Sequence, residues 1–219
     1  MSNLKSLEHG CITFLNHFSL QQGMLLSVNY KEFTGIGVDG SLLRMILKNR
    51  LEHNSADLYL PELLLKKPLK VFVIGGTIET CKANSELLAN RFSLATIVGY
   101  VSGDSNGLRG VAANINQTNP DLVIVGLGPG LQDIEALRLW KMSQSVGARR
   151  LFVTCGGWLD QLQKVDYFPK WAYFLKLNWL LRLAREPRRL WKRYSYWAFR
   201  AIAKRHELRK SVSEANWLG

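Results

Sequence analysis

Four apolar, β-branched runs that each end in glycine alternate with helix-patterned stretches over residues 70–160, and this pattern predicts an α/β fold. Short strands joined through helices give right-handed crossovers, hence a Rossmann-like parallel sheet flanked by helices. After Asp160 the chain turns aromatic and basic with helical patterning, which predicts a C-terminal basic-aromatic helical appendage that associates with a membrane. The 219 residues, 47% of them hydrophobic, suffice for one substantial core. We therefore expect an α/β core over 1–163 and a helical appendage over 164–219.

The elements follow in order. "CITFLNHFSL", "MLLSVNY" and "FTGIGVDG" read as short strands and turns, and Leu42 to Leu51 as a helix. "DLYLPELLLKK" starts a second helix with Pro61 near its first turn. "LKVFVIGG" is a strand into the Gly75-Gly76 turn, followed by an amphipathic helix from about Glu79. "LATIVGYVSG" is the next strand, and "GLRGVAANINQTNP" a helix closed by Asn119-Pro120. "DLVIVGLGPG" and "RRLFVTCGGWLD" are strands separated by the helix "LQDIEALRLWKMSQSVG". In such a sheet ligands sit beyond the carboxyl ends of the strands, so Gly75-Gly76, Gly126 to Gly130 and Gly156-Gly157 should border one crevice. Glycine there lets a ligand approach the backbone closely.

The formal net charge is +12, and eleven Lys and Arg against two acids between Arg182 and Lys210 account for +9 of it. That asymmetry points to a polyanion: an anionic membrane surface, a diphosphate group or nucleic acid. Trp171, Trp179, Trp191 and Trp197 alternate with these cations, as in a helix at a membrane interface, although a solvated basic helix would carry the same charges. No run of eighteen uncharged apolar residues occurs, so no transmembrane helix is expected. The N-terminus does not read as a signal peptide. Cys11, Cys81 and Cys155 are scattered, as expected of reduced, buried thiols in a cytoplasmic protein.

Among chemical motifs, GxxxxGK[ST], HExxH, zinc-spaced Cys or His pairs and a DxD triplet are all missing, and no metal or cofactor is expected. His9, His17, His53 and His206 are dispersed and read as structural or solvated. Three polar positions lie beside the turns: Asp39 in "GVDG", Gln132-Asp133 after the third glycine-ended strand, and Asp160 in "CGGWLD". From local sequence alone Asp39 reads first as a turn aspartate bonding its own backbone, and the others read as helix caps.

Together, "FLNHFSL", "GIGVDG", "VFVIGG", "NPDLVIVGLGPGLQD", "CGGWLD" and "NWLLRLAREPRRLWKRY" resemble the TagA/WecG/CpsF family of bacterial glycosyltransferases over about residues 11 to 195. The resemblance implies transfer of a sugar from a UDP-sugar donor to a polyprenyl-diphosphate-linked acceptor, at the cytoplasmic face of the bacterial inner membrane with peripheral attachment. It places the catalytic aspartate on Asp39 and the asparagine of a threonine-x-asparagine motif on Asn16, with Phe14 where the threonine would stand. It places a glutamine on Gln132, an acid on Asp133, a uracil-holding aspartate on Asp160, and diphosphate-holding cations on Arg182, Arg189 and Lys192. His53 or Asn54 stands where an arginine is usual, and Asn178 where a glutamate is usual.

Transfer without a covalent intermediate needs a base for the acceptor hydroxyl, and Asp39 is the best-placed acid; a crevice that partly excludes water would raise its pKa toward working pH. The leaving diphosphate would then be met by arginines and by backbone amides at helix N-termini. Two other readings remain: a catalytically weakened scaffold in a polysaccharide assembly complex, and a basic polyanion-binding module. No nucleic-acid motif is present, so no nucleic-acid partner is expected. The exposed tryptophans could serve a homo-oligomer as readily as lipid.

Overall fold

The computed structural model describes residues 8–48, 53–163 and 187–218, with backbone alone for 187–189. Six strands form one sheet: β1 (Gly10–Leu15), β2 (Gly35–Val38), β3 (Leu69–Gly75), β4 (Ala95–Val101), β5 (Leu122–Gly126) and β6 (Leu151–Thr154). Their order is β2-β1-β6-β5-β3-β4 and every pairing is parallel. Successive side chains of a strand point to opposite faces. In β5 this sends Val123 and Val125 into one core cluster and Leu122 and Ile124 into the other. Both faces are therefore apolar, as a parallel sheet with helices on each side requires.

One face carries α1 (His17–Leu25), α2 (Ser41–Leu47), α6 (Val111–Thr118) and α7 (Leu131–Ser145). The other carries α3 (Ala56–Lys66), α4 (Ile78–Arg91) and α8 (Trp158–Leu162). The expected strands and helices over residues 70–160 are present, with the helix expected before Asn119 split into α5 (Ser105–Leu108) and α6 at Gly110, whose φ is +76°. α4 begins at Ile78, where Thr77 and Thr80 form a reciprocal capping box.

One region differs from the strand-and-turn expectation. "HFSLQQGML" is helix α1, not a strand: Asn16 accepts the backbone N–H groups of Phe18 and Ser19 and so starts it. The C-terminal stretch is helical over α9 (Pro187–Tyr194), α10 (Tyr196–Ala203) and α11 (Arg205–Ser211). It packs on the sheet domain, burying Leu190, Ala201, Leu208, Val212 and Leu218. Trp217 bridges Ile36, and the Ile36 N–H and C=O bond to Asn216 and Leu218, which covers the free edge of β2. Among the described residues no helix is long and apolar enough to cross a membrane.

The topology creates a crevice. After β3 the chain moves outward to β4, and after β5 it moves inward to β6, although β3 and β5 are neighbours. α4 and α7 thus leave adjacent strands on opposite faces, and their N-terminal ends part above the strand ends.

Candidate active site at the carboxyl ends of the strands

Asp39 directly follows β2. Its N–H donates to the Leu15 carbonyl at 2.8 Å, which holds it beside Asn16 at the end of β1. Gly40, at φ +93°, then turns the chain into α2, and a Cβ there would lie 3.8 Å from that of Asn16. The Asn16 side-chain oxygen is committed to capping α1, so this residue reaches the site as a helix cap.

His53 stands against Asp39, with Nε2 3.6 Å from Oδ1 and the two side chains 43% and 39% exposed. The neighbouring Asn54 N–H donates to the Val38 carbonyl at 3.1 Å, which draws the His53 segment onto the end of β2. The Asp39 carboxylate is the main reason why the His53 pKa lies above its ordinary value. On the other side His17 is buried. Its Nε2 contacts the Arg193 carbonyl at 3.1 Å, and burial pushes its pKa down.

The glycine turns split into two kinds. Gly75 is paired with Gly126, and a side chain there would strike the Gly126 carbonyl, so close strand packing demands glycine. Gly76, with φ +67°, is tied to Gly103 by a 2.8 Å bond from the Gly103 N–H. Gly128 (φ +84°) and Gly156 (φ +57°) have open space where a side chain would be. They stand open beyond the strand ends, while Gly75 is packed within the sheet.

Gln132 is buried, and its Oε1 accepts the Gly156 N–H at 3.1 Å, fastening the turn after β6 to the start of α7. Asp160 is exposed in the first turn of α8. From β2 to β3 the edge spans four strand intervals, roughly 19 Å at ordinary strand spacing. Asp39 is at one end, Asp160 near the middle, and Gly75 and Gly76 at the other.

The family model described as "Glycosyl transferase WecG/TagA/CpsF family" matches residues 26–212. The chain belongs to this family. It is also 30% identical, over 177 residues, to the N-acetylglucosaminyldiphosphoundecaprenol N-acetyl-beta-D-mannosaminyltransferase of Bacillus subtilis (strain 168). That alignment takes in 78% of this chain and 66% of the relative, so the chain spans just under two thirds of the relative's length.

In this member of the glycosyl transferase family, the strand ends bring Asn16, Asp39, Gly75, Gly76, Gln132 and Asp160 to one edge of the sheet. Lys192 is exposed on α9; the Arg189 side chain and Arg182 lie outside the described residues. Neither Gln132 nor Asp133 caps α7, because Gly130 is its N-cap. Asp133 is fully buried, away from the crevice. Its Oδ1 accepts the Thr13 hydroxyl at 2.6 Å, and Thr13 accepts the Thr154 hydroxyl at 2.8 Å, so helix, β1 and β6 are cross-tied. Burial raises the Asp133 pKa to about 6. Phe14 is likewise buried, against Tyr59 at 5.7 Å between ring centroids. His53, which the sequence marks only as standing, with Asn54, where an arginine is usual, gains a role once Asp39 is beside it.

Proposed function

We propose that the protein is a membrane-associated glycosyltransferase that moves a sugar from a UDP-sugar donor to a polyprenyl-diphosphate-linked glycan intermediate in bacterial surface polysaccharide synthesis. The observation that carries this reading is the half-exposed Asp39 carboxylate at one end of a glycine-bordered strand edge, with family membership behind it. Asp39 serves as the general base without a metal: the acceptor hydroxyl loses its proton, its oxygen bonds the anomeric carbon, and the bond to the UDP oxygen breaks with its electron pair leaving on the diphosphate. Backbone N–H groups at the starts of α4, α7 and α8 suit that developing charge. Gly75 and Gly76 admit the donor closely, Gln132 holds the Gly156 turn in place for it, and Asp160 takes the uracil. Arg182, Arg189 and Lys192 supply cations to a diphosphate, since positive groups and arginine forks pair well with phosphate oxygens.

Residues 164–219 are the part that meets the lipid in this reading. Trp191 and Phe199 are 65% and 75% exposed among cations, suited to the anionic cytoplasmic face of the bacterial inner membrane. The test is Asp39→Asn with UDP-sugars and lipid-diphosphate acceptors: transfer should fall by about a hundredfold or more while UDP binding persists. A catalytically weakened scaffold is the second reading. It is favoured by Phe14, whose ring fills the core where the resemblance has a hydroxyl, and it predicts no transfer by either protein.

A further inference from the structure

The position of His53 is set by its neighbours on the chain. Asn54 donates its N–H to Val38 at 3.1 Å and its side-chain amide to the Leu218 carbonyl at 3.2 Å, and Ser55 begins α3. The imidazole is thereby presented to Asp39 from a backbone tied on one side to β2 and on the other to the C-terminal segment at Leu218. Around it stand Asp39 from the end of β2, Arg44 from α2 and Asp57 from α3. Asp39 in turn is faced by His53 and by His17 of α1. His17 is buried and its pKa is lowered by that burial, whereas that of His53 is raised, so His53 is the more basic of the two imidazoles.

Resting on the reading of Asp39 as the base, we propose that Asp39 and His53 work as one base: the proton lost by the acceptor hydroxyl is held as the imidazolium of His53 against the Asp39 carboxylate. A carboxylate alone is a weak base for a sugar hydroxyl. An adjacent imidazole that the carboxylate stabilises in its charged form gives the proton a better resting place near neutral pH. The raised pKa of His53, with Asp39 as its first cause, has the sign that this requires. The 3.6 Å separation shortens readily once a substrate is bound, as catalytic hydrogen bonds commonly do. The step balances: the acceptor oxygen–carbon bond forms, the carbon–UDP oxygen bond breaks, UDP leaves with the electron pair, and the half-exposed imidazolium returns its proton to water.

The experiment is the pH profile of kcat/KM for wild type, His53→Gln and Asp39→Asn, alongside an NMR titration of His53 in the wild type and in Asp39→Asn. In the wild type, activity should fall on the acid side at the pH where the NMR signal of His53 titrates, above the ordinary imidazole value. That titration should drop in Asp39→Asn. His53→Gln should lose about a hundredfold at pH 8 and its acid limb should leave the neutral range. A His53→Gln enzyme with wild-type rate and limb overturns the pair and leaves Asp39 as sole base. An Asp39→Asn enzyme with wild-type rate overturns Asp39 as base and the pair with it. An unshifted His53 titration in Asp39→Asn overturns the pairing without reference to catalysis.

Discussion

The Gln132 side-chain oxygen accepts the Gly156 backbone N–H at 3.1 Å, joining the first turn of α7 to the turn after β6. Gly156 has φ +57° with open space where a Cβ would be, and this bond holds the turn together with the 3.1 Å bond from the Trp158 N–H to the Cys155 carbonyl. Gln132→Ala should destabilise the fold by about 1–2 kcal/mol, the cost of leaving a buried donor or acceptor unpaired. UDP binding measured by calorimetry should weaken by roughly tenfold or more, equivalent to about 1.4 kcal/mol. Equal UDP affinity in Gln132→Ala and the wild type would detach this turn from the donor site.

Asp133 makes stability depend on pH with a definite sign. Its carboxyl pKa is raised from 3.8 to about 6 in the folded protein, so the folded state holds the proton more tightly than the unfolded chain. The stabilisation is complete below the unfolded value and is lost as pH rises through about 6. The shift corresponds to about 3 kcal/mol at most. Urea unfolding at pH 5 and pH 8 should show the part of this loss that falls above pH 5, about 1.4 kcal/mol, in the wild type and not in Asp133→Asn. The difference between the two proteins removes the contributions of the other titrating groups, which both proteins share. Thr13→Val takes away a hydrogen bond that favours the carboxylate, so the loss should then extend to higher pH.

The strands and glycine turns over residues 70–160 were legible because β-branched runs ending in glycine have few other uses. Asp39 and Asp160 were legible as polar residues beside such turns, although the sequence left their alternatives open. Helix α1 was not legible: it lies between the sheet and α10, so His17, Ser19, Gln21 and Gly23 are buried along with Leu20, and no clean apolar stripe marks it. The four-residue capping box of Asn16 and Ser19 was the available signal. The Asp39–His53 contact was not legible either, since it depends on Asn54 docking on β2, a pairing that no local spacing encodes. Arg150 shows the same limit, for it is buried with Asn116, Asn119 and Ser143 as its partners.

The last helices are part of the sheet domain's stability. Leu208 is fully buried, and Arg209 Nε donates to the Ile46 carbonyl of α2 at 2.6 Å. Leu208→Ala should cost about 2–5 kcal/mol, the range for a buried leucine whose cavity only partly collapses. Ending the chain before Arg205 should do more, because β2 also loses its cover at Ile36, and an open edge strand favours aggregation. Thermal melts and light scattering measure both effects. A shortened chain that stayed monomeric with an unchanged melting temperature would show that these helices lend the core nothing.

The aromatic residues of α9 and α10 divide by task. Trp197 packs edge-on against Phe18 at 5.5 Å, with the Arg200 guanidinium over its ring, and the Trp197 carbonyl accepts the Gln21 amide. Trp191 and Phe199 are exposed among Lys192, Arg193 and Arg200. Trp197→Ala should therefore lower the melting temperature. Trp191→Ala and Phe199→Ala should leave it in place and reduce partitioning onto anionic vesicles by roughly tenfold each, a share of the 1.5–3 kcal/mol for burying a large apolar side chain. Added salt should weaken the binding further, since the cations contribute through a screened surface potential. Sedimentation with vesicles of defined anionic content reads this directly. Unchanged binding in the double variant would remove these two rings from the membrane contact, and with them the main structural support for lipid docking at α9 and α10.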